Sequence, residues 1–75
     1  AREFALLAYL VRHVGEVVTR QQVLDGVWGA EPDVYSNVVD LYIHYLRDKL
    51  ETLGRRDVIR TIRGVGYSLR VDGGA

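Results

Sequence analysis

The chain has 75 residues, a formal net charge of zero, 48% hydrophobic residues and no cysteine. This length allows one small domain, the apolar content argues against intrinsic disorder, and the lack of cysteine excludes disulfides and thiolate metal sites. No apolar run approaches the length of a membrane span. The charge is uneven, because residues 1–35 carry three basic and five acidic residues whereas residues 36–70 carry seven basic and four acidic ones.

The first helix is predicted from an apolar stripe at three- and four-residue spacing. The stripe consists of Phe4, Leu7, Leu10, Val11 and Val14. Gly15 follows at the position where a left-handed residue ends a helix. Residues 16–18 are then expected to form a short extended connector.

The second helix is predicted to begin at Thr19, which forms the sequence pattern of a capping box with Gln22. Val18 and Val23 flank this cap at the positions of a hydrophobic staple. The helix is expected to end before Gly29. A loop over residues 29–35 follows, because proline and acidic residues there disfavour a helix.

The third helix is predicted as a long amphipathic element over residues 36–50. Its apolar stripe is Val39, Ile43, Leu46 and Leu50. Asp40 lies in the first turn, where a negative charge suits the helix dipole. Gly54 is expected to end this segment.

A hairpin is predicted after the third helix. Residues 58–62 are rich in β-branched side chains, Gly64 and Gly66 permit a tight turn, and residues 67–71 return as the partner strand. Residues 72–75 are expected to be a frayed tail. Helices followed by a basic hairpin predict an α+β, mostly helical fold: a winged helix-turn-helix that places its third helix in the DNA major groove.

The predicted core draws on every element. It comprises Phe4, Leu7, Leu10, Val23, Leu24, Trp28, Val39, Ile43, Leu46, Leu50, Ile62 and Leu69.

Four stretches of the chain carry a family resemblance. They are EFALLAYL from Glu3, VVTRQQVLDGVWG from Val17, NVVDLYIHYLRDKLE from Asn37 and IRTIRGVGYSL from Ile59. Together they cover nearly the whole chain, which resembles the C-terminal DNA-binding effector domain of OmpR/PhoB-type response regulators of bacterial two-component systems. Members have a small antiparallel sheet before the first helix and an N-terminal phosphorylated receiver domain. We therefore expect residues 1–75 to be one winged-helix domain, with that sheet and the receiver missing.

The resemblance implies a set of DNA-binding residues. They are Asn37, Tyr42, His44, Tyr45 and Arg47 on the third helix, and Thr61 and Arg63 on the hairpin. Arg47 falls on the family's LR arginine and is expected to contact phosphate; the alternative is a surface ion pair with Glu51 at i+4. Thr61 is expected to bond phosphate, and Arg63 to enter the minor groove or touch its backbone.

The two tyrosines of the third helix depart from the histidine or arginine of many members. A tyrosine can bond a base edge or phosphate or pack on a thymine methyl group, but it can also rest against the protein. His44 replaces a frequent arginine and can still donate to phosphate. Asn37 can reach phosphate or cap its helix.

The resemblance also implies partners and a place in the cell. We expect a cytoplasmic protein that binds double-stranded DNA at tandem direct repeats as a head-to-tail dimer, without a cofactor. RNA polymerase is expected to contact the loop at Glu31, Pro32 and Asp33. A receiver domain and a sensor histidine kinase complete the system.

A second hypothesis stays open, because the net charge is zero and the third helix is weakly basic. It is a winged-helix interaction module that binds RNA polymerase or itself and binds DNA weakly or not at all. Nothing in the sequence predicts an enzyme, since the motifs and paired carboxylates of catalysis are not found. The two histidines lack metal-ligand spacing, and GVG at Gly64 lacks the third glycine and following helix of a nucleotide loop.

Overall fold

The computed structural model describes residues 1–29, 35 and 37–71. Its helical elements are α1 (Arg2–Arg12), α2 (Arg20–Val23) with a π-helical continuation (Leu24–Trp28), α3 (Asn37–Glu51) and a short 3₁₀ turn (Arg56–Val58). Its strands are β1 (Val17–Thr19), β2 (Ile59–Ile62) and β3 (Gly66–Leu69). Three helices followed by a β2–β3 hairpin confirm the predicted winged helix-turn-helix. No helix in the described part of the chain is long and apolar enough to cross a membrane.

The segment expected to be a connector forms a third strand. β1 pairs antiparallel with β3, which gives a sheet of order β1-β3-β2. Val18 lies opposite Tyr67, and both are buried. Three residues between two helices are too few to show the alternation from which a strand is predicted. This pairing fixes the hairpin to the start of α2.

Gly66 lies within β3 rather than in the hairpin turn. A Cβ at this position would overlap the carbonyl oxygen of Val18 on the neighbouring strand. The missing side chain therefore lets β1 approach β3 closely. The turn itself consists of residues 63–65 and includes Gly64.

The buried face of α1 differs from the predicted one. Leu6 and Leu10 are 0% and 1% exposed, whereas Phe4 is 74% exposed, so its assignment to the core was wrong. Exposed residues of the predicted stripe are Phe4, Val11 and Val14. α1 is apolar around most of its circumference, so helical spacing fits more than one stripe, and the helix ends before Val14.

The core lies between the helices and one face of the sheet. Its buried apolar residues are Leu6, Leu10, Val18, Val23, Trp28, Val39, Ile43, Leu46, Ile59, Tyr67 and Leu69. Of the remaining predicted core residues, Leu7, Leu24 and Leu50 are partly buried and pack against this core. Ile62 is also partly buried, but it pairs with Gly66 on the other face of the sheet and does not belong to this core. Most of the predicted core is therefore confirmed, and the hairpin adds Ile59 and Tyr67.

The predicted start of α2 is confirmed by both hydrogen bonds of the capping box. The Thr19 N–H donates to Gln22 Oε1 at 2.8 Å, and the Gln22 N–H donates to Thr19 Oγ1 at 3.0 Å. Gly15 and Gly54 have positive φ angles just beyond α1 and α3, as predicted. The predicted tail at 72–75 and loop residues 30–34 lie outside the described residues.

Candidate nucleic-acid interface

One face of α3 points away from the core. Because Val39, Ile43 and Leu46 point inward, helical periodicity places the following side chains opposite them. This outward face comprises Asn37, Leu41, His44, Tyr45 and Asp48. Leu41 and Tyr45 are 46% and 41% exposed, and the His44 side chain is 61% exposed. Three of the predicted DNA-binding residues, Asn37, His44 and Tyr45, therefore share one exposed surface.

Tyr42 lies on the flank of α3 and is partly buried against the core. Its ring meets Trp28 edge-on, with centroids 5.3 Å apart, and meets Tyr45 in the same way at 5.5 Å. Such edge-to-face pairs are the geometry that aromatic quadrupoles favour. Of the two tyrosines, Tyr42 rests against the protein while Tyr45 reaches the outward face.

Arg47 lies on the opposite flank of α3, which faces the hairpin. Its Nη2 donates to the Ile59 carbonyl oxygen and to Thr61 Oγ1, both at 2.8 Å, and its Nε donates to the same carbonyl at 3.3 Å. Glu51, the alternative partner, accepts instead from Arg56 Nη1 at 2.8 Å. Arg47 thus ties α3 to the edge strand β2, and its Nη1 carries two further N–H groups.

A cluster around Tyr67 joins α2, α3 and β3. The Tyr67 hydroxyl donates to Asp40 Oδ1, and Arg20 Nε donates to the same oxygen at 2.7 Å. The guanidinium groups of Arg20 and Arg47 lie 5.4 and 5.8 Å from the centroid of the Tyr67 ring. We call Arg20, Asp40 and Tyr67 the tyrosine cluster; it links α2 to α3, which carries the outward face, and to β3 of the hairpin.

The tyrosine cluster shifts the ionisation of its members. Burial alone would raise the pKa of Asp40, but the hydrogen bonds from Tyr67 and Arg20 and the charge of Arg20 outweigh it and lower that pKa. Burial, followed by the hydrogen bond to Asp40 and its negative charge, raises the pKa of Tyr67. At neutral pH the cluster therefore holds a carboxylate, a neutral phenol and a guanidinium.

The hairpin carries two of the predicted DNA-binding residues, and Thr61 contacts α3 through Arg47. Thr61 is exposed and lies opposite Tyr67 in the β2–β3 register, so it shares the sheet face that meets the helices. Arg63 is exposed in the turn between the two strands. Arg60, whose direction the sequence left open, lies opposite Ser68 and therefore starts on the other face of the sheet.

A shallow cleft runs between the end of α3 and β2. It is lined by Arg47, Arg56, Asp57, Ile59, Arg60 and Thr61. Arg56 donates to Glu51 at 2.8 Å and to Asp48 at 3.3 Å, so its charge is locally balanced. Arg47 and Arg60, the other arginines of this lining, donate to uncharged oxygen atoms, of Ile59 and Thr61 and of the Asp57 main chain respectively.

Two features of this region were not predicted from the sequence: Leu41 on the outward face and the tyrosine cluster. Leu41 follows Asn37 by four residues, and this helical spacing could have placed it on the outward face. The tyrosine cluster has no local signal, because its residues are brought together only by the fold. The predicted polymerase-contact residues Glu31, Pro32 and Asp33 lie outside the described residues.

Comparison with known proteins identifies relatives among bacterial regulators. The family described as "Transcriptional regulatory protein, C terminal" matches residues 1–69. The transcriptional regulatory protein TcrA of Mycobacterium tuberculosis is 49% identical over 73 residues, which are 97% of this chain and 29% of that protein. The response regulator ArlR of Staphylococcus haemolyticus is 48% identical over 68 residues, 91% of this chain and 31% of that protein. The chain thus spans about a third of the length of these relatives.

A solved structure shows the same fold. The DNA-binding domain of Klebsiella pneumoniae RstA, crystallised in complex with the RstA box, matches with a TM-score of 0.78 and 30% identity. The match covers 93% of this chain and 70% of that one. Together with the family match over residues 1–69, this shows that the chain belongs to the C-terminal family of transcriptional regulatory proteins, the OmpR/PhoB-type DNA-binding domains of response regulators.

Proposed function

We propose that this domain binds double-stranded DNA in a sequence-specific manner, as the effector of a response regulator that controls transcription. The outward face of α3 enters the major groove, and the hairpin contacts the adjacent minor groove and backbone. The observation that carries this proposal is the link from Arg47 to Ile59 and Thr61, which joins α3 and β2. With the two elements joined, the outward face and Arg63 can meet neighbouring grooves of one duplex together.

The proposed roles follow from where each side chain lies. Thr61 Oγ1 accepts from Arg47, which leaves its own hydroxyl proton to donate to a phosphate oxygen. Arg47 can add the N–H groups of its Nη1, and Arg63 at the hairpin turn is placed to enter the minor groove. The remaining proposed contacts on α3 are Asn37, His44 and Tyr45, which lie on the outward face. Tyr42 is proposed on the family resemblance alone, because its ring packs against Trp28 on the flank of the helix.

The finer partners are also proposals, and they rest on the family resemblance. The protein would bind tandem direct repeats as a head-to-tail dimer and contact RNA polymerase through Glu31, Pro32 and Asp33. A receiver domain and a sensor histidine kinase would control it.

The salt dependence of DNA affinity tests the proposal. We expect the logarithm of the binding constant of this protein to fall steeply with the logarithm of salt concentration. Arg63→Ala should weaken binding and reduce that slope by about 0.9 for each phosphate that is no longer neutralised. Fluorescence anisotropy with a duplex selected from a random pool measures both quantities.

The matched control is Arg12→Ala, which removes one exposed arginine from α1. It should retain the slope of the parent, because α1 is not part of the proposed interface. Parent-like slopes for both variants would remove Arg63 from the interface. Absence of binding by the folded protein at low salt would favour the protein-interaction module instead.

A further inference from the structure

Both strongly basic side chains of α3 are directed away from its outward face. Arg47 donates to Ile59 and Thr61 on the hairpin side. Lys49 Nζ lies 2.8 Å from Glu3 Oε1 on α1. Arginine or lysine bonded to guanine O6 and N7 is the commonest base-specific contact in the major groove. The outward face of α3 therefore lacks the usual means of reading guanine.

The outward face instead exposes an apolar patch next to the side-chain amide of Asn37. Leu41 and Tyr45 are separated by one helical turn and are 46% and 41% exposed. Asn37 lies one turn before Leu41. In the major groove, apolar side chains match the 5-methyl group of thymine, and asparagine matches the N6 and N7 of adenine.

His44 does not restore a guanine contact. Its Nε2 lies 3.4 Å from Asp48 Oδ2, one turn further along α3. The acidic partner draws this ring nitrogen along the helix and places a negative charge at the same surface. A base acceptor such as guanine O6 is disfavoured near a carboxylate.

The Tyr45 ring is held in place by a chain of ring contacts that begins in the core. Trp28 is 7% exposed and meets Tyr42 edge-on at 5.3 Å, and Tyr42 meets Tyr45 at 5.5 Å. A side chain that is already ordered loses less conformational freedom on binding, so its contact contributes more to affinity.

The hairpin turn favours the same base composition independently. Arg63 is exposed at its tip. Runs of A·T pairs narrow the minor groove and strengthen its negative potential, which attracts an inserted arginine. Both grooves would therefore be met by groups suited to A·T pairs.

We propose that this domain recognises an A·T-anchored site, in which Leu41 and Tyr45 contact thymine methyl groups and Asn37 bonds adenine. The inference rests on the proposed DNA binding and names the base pairs that are read. It makes Leu41, outside the contacts expected from the sequence, a specificity-determining residue.

Replacement of single thymines by deoxyuridine tests the inference, because it removes the methyl group and keeps every hydrogen-bonding group of the base pair. A duplex is first selected from a random pool, and affinity for its substituted forms is measured by fluorescence anisotropy. We expect about a fourfold loss for each contacted methyl group. In Leu41→Ala, the loss at one of these thymines should nearly disappear, and in Tyr45→Ala the loss at a neighbouring one should do so.

The matched control is Leu53→Ala, which truncates a leucine that is 73% exposed and lies beyond the end of α3. It should show the full deoxyuridine penalty of the parent. The inference is wrong if the protein selects a guanine-anchored duplex whose thymines all tolerate deoxyuridine, a result that would leave the proposed function standing. Penalties that persist unchanged in both Leu41→Ala and Tyr45→Ala would also overturn it. No binding to any duplex would overturn the proposed function and this inference together.

Discussion

Asp40 accepts hydrogen bonds from two residues that are distant in sequence. Arg20 lies 20 positions before it and Tyr67 lies 27 positions after it. The sequence could place Asp40 only in the first turn of a helix, where its charge suits the dipole. Its main role in the structure, as the shared acceptor of the tyrosine cluster, depends on the docking of the hairpin.

The pKa shifts of the cluster predict how stability depends on pH. The pKa of Asp40 is lowered on folding, so its carboxylate stabilises the fold above the unfolded pKa of about 4, and this stabilisation is lost as pH falls through the folded value. Asp40→Asn should therefore lower the free energy of unfolding at pH 7 by about 1 kcal/mol, a modest loss because asparagine can still accept and the site is partly exposed. The difference from the parent should shrink below pH 4. Urea unfolding at pH 7 and pH 3 measures it.

Asp48→Asn is the control for this prediction. Asp48 also lies on α3 and has surface partners, Arg56 at 3.3 Å and His44 at 3.4 Å. Exposed pairs of this kind contribute little, so the variant should stay within about 0.5 kcal/mol of the parent. If Asp40→Asn and Asp48→Asn behave alike at both pH values, the tyrosine cluster does not couple Asp40 to folding.

At the scale of elements, local patterns were readable from the sequence. The capping box at Thr19 and the buried stripe of α3 depend on residues three or four positions apart, and both are confirmed. The strand β1 could not be recognised, because its partner β3 lies about 50 residues further along the chain. The prediction of the buried face of α1 failed for another reason. Most positions around this helix are apolar, so the spacing of apolar residues does not show which side faces the core.

The link between α3 and β2 gives a prediction about stability without DNA. Arg47→Ala removes three hydrogen bonds from a charged donor group, and we expect it to lower the free energy of unfolding by about 1–2 kcal/mol. The free energy of unfolding of Arg47→Lys should lie between those of the parent and Arg47→Ala, because an ammonium group keeps the charge but cannot reproduce the planar fork of the guanidinium group. Chemical denaturation of the free protein measures the effect.

The control for Arg47→Ala is His44→Ala, which changes a residue on the outward face of the same helix. Its side chain is 61% exposed, so the change should alter stability by no more than about 0.5 kcal/mol. An Arg47→Ala variant as stable as the parent would mean that Arg47 serves DNA alone and does not join the two elements.

At the scale of the whole molecule, the zero net charge conceals an uneven distribution. The basic residues concentrate after residue 36, but several are already paired within the fold, such as Lys49 with Glu3 and Arg56 with Glu51. The sequence could predict the winged-helix class, since family motifs and helix periodicity carry it, and it suggested the proposed interface on α3 and the hairpin. It could not show which basic side chains are already paired with acidic side chains within the fold. These pairings are the basis for the proposal that α3 reads A·T pairs rather than guanine.

The most direct test of the central claim is to map the DNA interface by NMR, following the backbone amide signals of the protein during titration with a selected duplex. We predict the largest chemical-shift changes along the outward face of α3 and in residues 61–65, with little change in α1. Shifts concentrated in α1, or no shifts at a duplex concentration well above that of the protein in low salt, would contradict the proposal that α3 and the hairpin bind DNA together.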